Sequence, residues 1–291
     1  MKYGDLEIYS VSMLGKFLSC NRAYAWRYSH LLTHERKSKA LSFGSTIHDG
    51  IATWYKTKDL AKVVQSMETI GTELGLVPDL ETDPKHSIER ARGIMLKYID
   101  RYAANDLNVT MVEVPFLLEV DADPEPFLFA GTIDGLAEQD GNLFVLENKT
   151  TTRMGTDYIK SYNPNNQISA YLWALSKYMD KPIHGAVLNI IHILTKETNF
   201  IRHTTRRQAW ELEEFEVELK EMVRQIRTAN ERGVYVKNTN QCNVYGSCAY
   251  QTLCKTPKDY LSNFIEAEYI TDTPGDLRWL FEPKGELVEK S

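Results

Sequence analysis

The sequence predicts a mixed α/β (α+β) fold, with a mixed central sheet flanked by helices. Three observations lead there. Apolar residues recur at helical spacing as far as about Asn105. Three β-rich runs then follow one another from Val109 to Lys149, parted by turn residues. A helix, a second pair of strands and a long amphipathic helix complete the order. The 291 residues suit a single domain. It would comprise a helical lobe over 1–108 with Cys20 and His48, a sheet core over 109–204, and a long helix with a cysteine cluster over 205–291.

Each element has a local reason. Ser10 or Ser12 supplies the N-cap of a first helix carrying Leu14, Phe17, Leu18 and Ala25. The polar stretch Thr33 to Lys39 reads as a linker. A second helix is expected to begin near Ser45 and to carry His48, Ile51, Ala52 and Tyr55. Two more run from about Leu60 to Leu74 and from about Ser87 to Asn105, parted by the proline-containing loop Gly75 to Pro84. The strands are Val109 to Val120, Phe127 to Ala137 and Asn142 to Lys149. Between the last two stands Asp140-Gly141, a dipeptide that favours a type I′ turn. Leu143 to Glu147 reads as a central strand, apolar on both faces. Asn163-Pro164 would open the next helix, as cap and first residue, and carry it to about Tyr178. Ile183 to Leu194 and Phe200 to Thr204 read as strands. Thr205 and Gln208 fit a capping box for a helix to about Glu231. From Cys242 onward the chain reads as irregular, with a strand near Ile265 to Ile270.

Composition narrows the function classes. Hydrophobic content of 43% and charged content of 25% are those of an ordinary globular chain. No run approaches the ~20 apolar residues of a membrane helix. The start, MKYGDLEIYS, lacks the basic-then-apolar pattern of a signal peptide. An intracellular protein without a membrane partner is therefore expected. The net charge of −6 argues against a bulk nucleic-acid binder, but the charge is uneven. Arg22, Arg27, His30, His34, Arg36, Lys37 and Lys39 make one basic group, and Arg202, His203, Arg206 and Arg207 another. Glu211 to Glu221 reads as a solvated helix face. The local field decides what a groove attracts.

The hairpin carries the chemistry. If Asp140 and Gly141 form the loop, Gln139 faces Asn142 and, counting back, Asp134 faces Glu147. Directly opposed Cβ atoms lie about 4.5–5.5 Å apart. Lys149 points to the same face as Glu147. Opposed acids repel unless something neutralises them. A divalent cation does so, with the lysine helping, and such a cation polarises a phosphoryl oxygen and acidifies a bound water. Hard oxygen ligands favour Mg²⁺ or Mn²⁺. The competing reading is a solvated hairpin end with a chance acid pair and a salt bridge. His48 either completes a cation site with Asp134 and Glu147 or is a packed or surface histidine. Gln167 and Tyr171 share a helix face, where they either contact phosphate near a helix N-terminus or are a surface Gln and a core Tyr. Cys20, Cys242, Cys248 and Cys254 lack a zinc knuckle and would hold an iron–sulfur cluster that ties both chain ends, or else are separate buried thiols.

Read in order, SVSMLGKFLSCNRAYAWRY, GSTIH, GTIDG, LENKT, Gln167 with Tyr171 and CNVYGSCAYQTLC resemble the RecB-type nucleases of the PD-(D/E)xK superfamily. The resemblance spans the chain and is to the iron–sulfur branch, which includes CRISPR-associated exonucleases, the AddB nuclease domain and small phage nucleases. It implies a restriction-endonuclease-like core. It implies metal ligation by His48, Asp134, Glu147 and the carbonyl of Asn148, with Lys149 as the catalytic lysine and Gln167 and Tyr171 at the scissile phosphate. It implies a structural 4Fe–4S cluster on Cys20, Cys242, Cys248 and Cys254. The expected activity is hydrolysis of DNA by an Mg²⁺- or Mn²⁺-dependent exonuclease on single-stranded ends, in the cytoplasm of a bacterium or a phage-infected host. A nuclease fold that binds DNA or a partner without cutting, or an electron-transfer protein, are the alternatives. Arg22, Arg27, Arg206 and Arg207 are candidate backbone contacts, and Trp26, Tyr162 and Trp173 candidate stacking platforms. Two departures stand out: five residues separate Cys242 from Cys248, where many relatives have two, and Ile133 replaces the proline before the first acid.

Overall fold

The computed structural model describes residues 1–34, 38–155, 157–179, 181–244, 246–275 and 277–281. Arg36 and Lys37 of the first basic group, and the end of the C-terminal tail, lie outside them. The chain divides into two units. One comprises Met1–Glu35, Phe116–Gly131 and Glu213–Ser291, the other Arg36–Pro115 and Thr132–Leu212.

The second unit is built on the hairpin. Asp140 and Gly141 both take positive φ, 51° and 78°, as a type I′ turn requires. Gln139 faces Asn142, and the register runs back through Leu136 and Val145 to Gly135 and Leu146. It therefore carries Asp134 toward Glu147. Strand Asn142–Thr151 pairs in parallel with Ile183–Ile193, which pairs antiparallel with Thr198–Thr205. The result is a mixed sheet. Leu143 to Asn148 are all buried, as in a central strand.

Helices Lys39–Thr57, Leu60–Glu73 and Ile88–Tyr102 cover this sheet. Phe43, Ile47 and Ile51 meet Met67, Ile94 and Met95, and all pack with Phe144, Leu146, Val187 and Ile191. Helix Asn166–Tyr178, buried from Ile168 to Leu175, packs on strand Ile183–Ile193.

Three helix starts differ from expectation, each because another polar group captured the end. Ser38 accepts the Leu41 N–H at 3.3 Å, so the second helix begins at Lys39 rather than near Ser45. Gly44 thus lies inside the helix, where a Cβ would come 2.9 Å from Thr150 Oγ1. Asn165, not Asn163, caps the helix carrying Gln167, accepting from Ile168 N at 3.1 Å. Thr205 ends a strand, and the long helix runs Ala209–Arg232. Its Glu211 carboxylate reaches back to the Gln208 N–H at 2.7 Å, the acidic half of a capping box.

In the first unit Ser10 caps helix Val11–Ser19 through the Met13 N–H, and strand Leu6–Ser10 pairs in parallel with Leu128 to Ala130. Ala23, Trp26, Leu32, Tyr250, Leu253 and Tyr269 form a small core. The strand expected near Ile265 is helix instead, Lys258–Glu268. Leu261, Phe264 and Ile265 lie three and four residues apart and pack on that core, which favours the helical period. A strand follows at Ile270–Thr271, paired with Leu32–Thr33. Among the described residues no helix is long and apolar enough to cross a membrane.

A buried polar chain crosses the second unit's apolar core. Asn189 Nδ2 donates to Asn148 Oδ1 at 2.7 Å and to Tyr98 Oη at 2.9 Å. Tyr98 and Tyr55 share a hydrogen bond of 2.8 Å, and Tyr55 donates to Asp106 at 2.9 Å. Arg202 Nη2 bonds both phenols and Asp106, the last at 2.8 Å, and its guanidinium lies over the Tyr102 ring. Burial alone would raise the Asp106 carboxyl, but hydrogen bonds from Arg202, Lys58 and Tyr55 override it and hold it below its ordinary value.

A depressed carboxyl stabilises the fold above its ordinary titration range, and that contribution is lost as pH falls through the depressed value. Asp106→Asn should therefore flatten the acid limb of a stability–pH curve from denaturant unfolding. Arg202→Met should cost about 2 kcal/mol at neutral pH, because it leaves Asp106 with one cation fewer.

Candidate active site

The strand that forms the centre of the sheet also aligns the polar groups. Residues 147 and 149 alternate to the same face, and Asp134 arrives from the neighbouring strand. Lys149 Nζ lies 2.5 Å from Glu147 Oε1 and donates to Gln167 Oε1 at 2.8 Å. Gln167 Nε2 donates in turn to Tyr171 Oη at 3.1 Å. The helix cap at Asn165 puts Gln167 in the first turn, with Tyr171 one turn further along the same face. Asp134 Oδ2 accepts the backbone N–H of Asn148 at 2.6 Å and lies 3.7 Å from His48 Nδ1. The structure thus brings His48, Asp134, Glu147, Asn148, Lys149, Gln167 and Tyr171 into one linked set.

The electrostatics follow from crowding two acids in a dry place. Glu147 is 3% exposed. Burial raises its carboxyl, the Asp134 charge raises it further, and Lys149 and His48 oppose both; the outcome is a value pushed up to about 7. Burial lowers the His48 imidazole, but the hydrogen bond to Asp134 and the charges of Asp134 and Glu147 leave it raised. Glu147 Oε2 is buried and has no hydrogen-bond partner.

Beside these residues lies a cavity of about 1100 Å³, lined by His48 and Asp134 and also by Asp49 and Glu113. Asp49, the next residue after His48, lines the same cavity, its carboxylate accepting from Ser66 Oγ at 2.6 Å. Sequence reasoning missed Glu113. It has the left-handed φ of 51°, unusual for a non-glycine residue, and its carboxyl is raised by burial and by the charge of Asp134. The available signal was an acid inside the β-rich run TMVEVPF, which cannot be placed without the fold.

Among the described residues no group of three or more His, Cys, Asp or Glu side chains is arranged to hold a metal ion as it stands. In the first unit, Cys20 and Cys248 pack on the small core. The Cys254 thiol is raised by burial, with Trp26 and Cys20 among its neighbours, and the Cys248 N–H donates to the Cys242 carbonyl at 2.8 Å.

Three of the four arginines offered as backbone contacts, Arg22, Arg27 and Arg207, have structural partners. Arg22 Nε donates to the Tyr235 carbonyl and Arg27 to the Asp272 carbonyl. Arg207 donates to Ser169 Oγ and the Tyr162 carbonyl. Trp26, Tyr162 and Trp173 are buried in cores rather than presented for stacking.

A family model for the PD-(D/E)XK nuclease superfamily matches residues 8–255. No curated protein matches the chain. Among solved structures, the one named "Putative exonuclease" from Eubacterium rectale is 11% identical, with a TM-score of 0.54 over 96% of this chain and 94% of that one, a likeness of fold. The structure of SSO0001 is 14% identical, with a TM-score of 0.43 over 87% of each chain.

A left-handed non-glycine residue costs roughly 1–2 kcal/mol. If the Glu113 carboxylate serves the site and not the fold, Glu113→Gly should unfold at a temperature no lower than the parent. A marked fall in melting temperature would mean that the fold needs the side chain.

Proposed function

The chain belongs to the PD-(D/E)XK nuclease superfamily, and on that footing we propose that it is a metal-dependent deoxyribonuclease, acting as an exonuclease on single-stranded DNA ends. One observation carries the metal: Glu147 Oε2 is buried without a partner, on a carboxylate that the hairpin register sets toward Asp134. A buried acceptor of that kind costs free energy unless something meets it. The donor set, two carboxylates with an imidazole and a backbone carbonyl, fits a hard divalent cation. Asp134, Glu147 and His48, with the Asn148 carbonyl, would hold Mg²⁺ or Mn²⁺. When bound, such an ion polarises the phosphoryl oxygen and acidifies a water.

The chain's own groups do the rest. Lys149 is pinned between Glu147 and Gln167, so its ammonium is fixed at the site. There it orients the attacking water and meets the charge that grows on the phosphate. Gln167 holds Lys149, and Tyr171 keeps the Gln167 amide from turning. His48 and the Asn148 N–H both meet Asp134 Oδ2 and steady that carboxylate. The name of the Eubacterium rectale protein supports the exonuclease assignment.

Cys20, Cys242, Cys248 and Cys254 would hold a 4Fe–4S cluster that joins the two ends of the first unit. Four thiols are the donor set such a cluster needs, and all four lie in that unit. Sites of this kind close on their metal as the protein folds.

Lys149→Ala and Glu147→Ala should each lower Mn²⁺-dependent degradation of labelled single-stranded DNA by at least about 10²-fold while leaving the circular dichroism spectrum unchanged. Full activity in both variants would defeat the assignment. Protein purified without oxygen should be brown and contain iron and sulfide; a colourless, zinc-loaded preparation would rule out the iron cluster.

A further inference from the structure

The cavity beside Asp134 is longer than one phosphate requires. Leu41, Ser45, His48, Ala52 and Lys56 all line it. They recur every three or four residues, so they form one stripe of helix Lys39–Thr57. At 1.5 Å per residue, Leu41 to Lys56 spans about 22 Å. His48, which stands against Asp134, is near the middle. The cavity therefore continues for about 10 Å along the helix on one side of the proposed cation site and about 12 Å on the other.

Charge is sorted along this length. Asp49, Glu113 and Asp134 gather around His48. Lys56 stands at the C-terminal end of the stripe. Lys85 stands at the other end: its loop is tied to the start of the helix by the Lys39–Asp83 ion pair at 2.9 Å and by His86 packed edge-on against Phe43. Arg90, in the same wall, donates to the Leu194 carbonyl at 2.7 Å. Among the described residues, neither the Lys56 nor the Lys85 ammonium has a hydrogen bond or an ion pair, unlike Arg22, Arg27 and Arg207. Phe43, the aromatic residue of the helical wall, is buried in the core.

Two ammonium groups on either side of a cluster of acids, neither of them tied by a hydrogen bond or an ion pair among the described residues, fit a polyanion that crosses a cation at its middle. Resting on the function proposed above, we infer that this cavity binds a single nucleic-acid strand on both sides of the scissile phosphate, with Lys56 holding phosphates on one side and Lys85 on the other. At about 3.4 Å per stacked nucleotide, the stripe spans about six nucleotides. Contacts to phosphate carry no sequence information, so binding is indifferent to base order. The cut falls within the bound segment, about three nucleotides from a strand end that fills the cavity, and the products are short oligonucleotides.

The test is binding of a fluorescent single-stranded oligonucleotide in EDTA, across a salt series, for the parent, Lys56→Ala and Lys85→Ala. Each variant should bind more weakly and lose about 0.7 from the slope of log affinity against log salt. Parental affinity and slope in both variants would overturn the inference, as would mononucleotides as the first products of the Mn²⁺-loaded parent. The two readings fail differently. A parent that cuts DNA while both variants keep its slope loses the strand path and keeps the nuclease. A parent that leaves DNA intact while both variants lose slope keeps the strand path and loses the nuclease.

Discussion

Two carboxylates brought together on neighbouring strands, Asp134 and Glu147, are the constraint around which the second unit is arranged. Side by side in a sheet they repel, and Glu147 has lost nearly all contact with water. Three groups of opposite polarity answer them. The Lys149 ammonium meets Glu147, while the Asn148 N–H and the His48 imidazole meet Asp134. One oxygen, Glu147 Oε2, is left over. A fold that buries an acid and leaves it incompletely satisfied is holding free energy at that point. The proposed cation is where that energy finds a use.

The strand that carries this burden is polar on both faces at the same level. Glu147 and Lys149 turn one way, toward Gln167. Asn148 turns the other way, into a core otherwise made of Phe144, Leu146, Val187 and Ile191. There Asn189 receives it and passes the polarity through two tyrosines to Asp106 and Arg202. Hydrogen bonds link each member of that relay to the next, although Asn189 Oδ1 and Arg202 Nε are buried without a partner. The tight turn at Asp140-Gly141 sets the level at which all of this happens. A slip of one residue would send every side chain of the strand to the wrong face.

Much of this was legible in the sequence because it is local. Asp140-Gly141 specifies its own turn, and the turn specifies the register that brings Asp134 toward Glu147. Alternation then places Lys149, and helical spacing pairs Gln167 with Tyr171. Helix starts were less legible. Ser38 and Ser45, or Asn163 and Asn165, are chemically equivalent caps a few residues apart, and packing chooses between them. Glu113 and Asp49 could not be assigned to the site, because their places depend on a left-handed backbone residue and on a neighbouring helix. The arginines misled for the opposite reason. Charge is visible in a sequence, but the carbonyls that engage Arg22, Arg27 and Arg207 come from distant parts of the chain.

Binding of Mn²⁺ to the intact protein, followed by electron paramagnetic resonance, bears most directly on the role of the opposed acids. The parent should bind Mn²⁺ at a site that is lost in a protein carrying both Asp134→Asn and Glu147→Gln, with the fold retained. Equal Mn²⁺ binding by the parent and the double variant would mean that the facing carboxylates do not hold the ion.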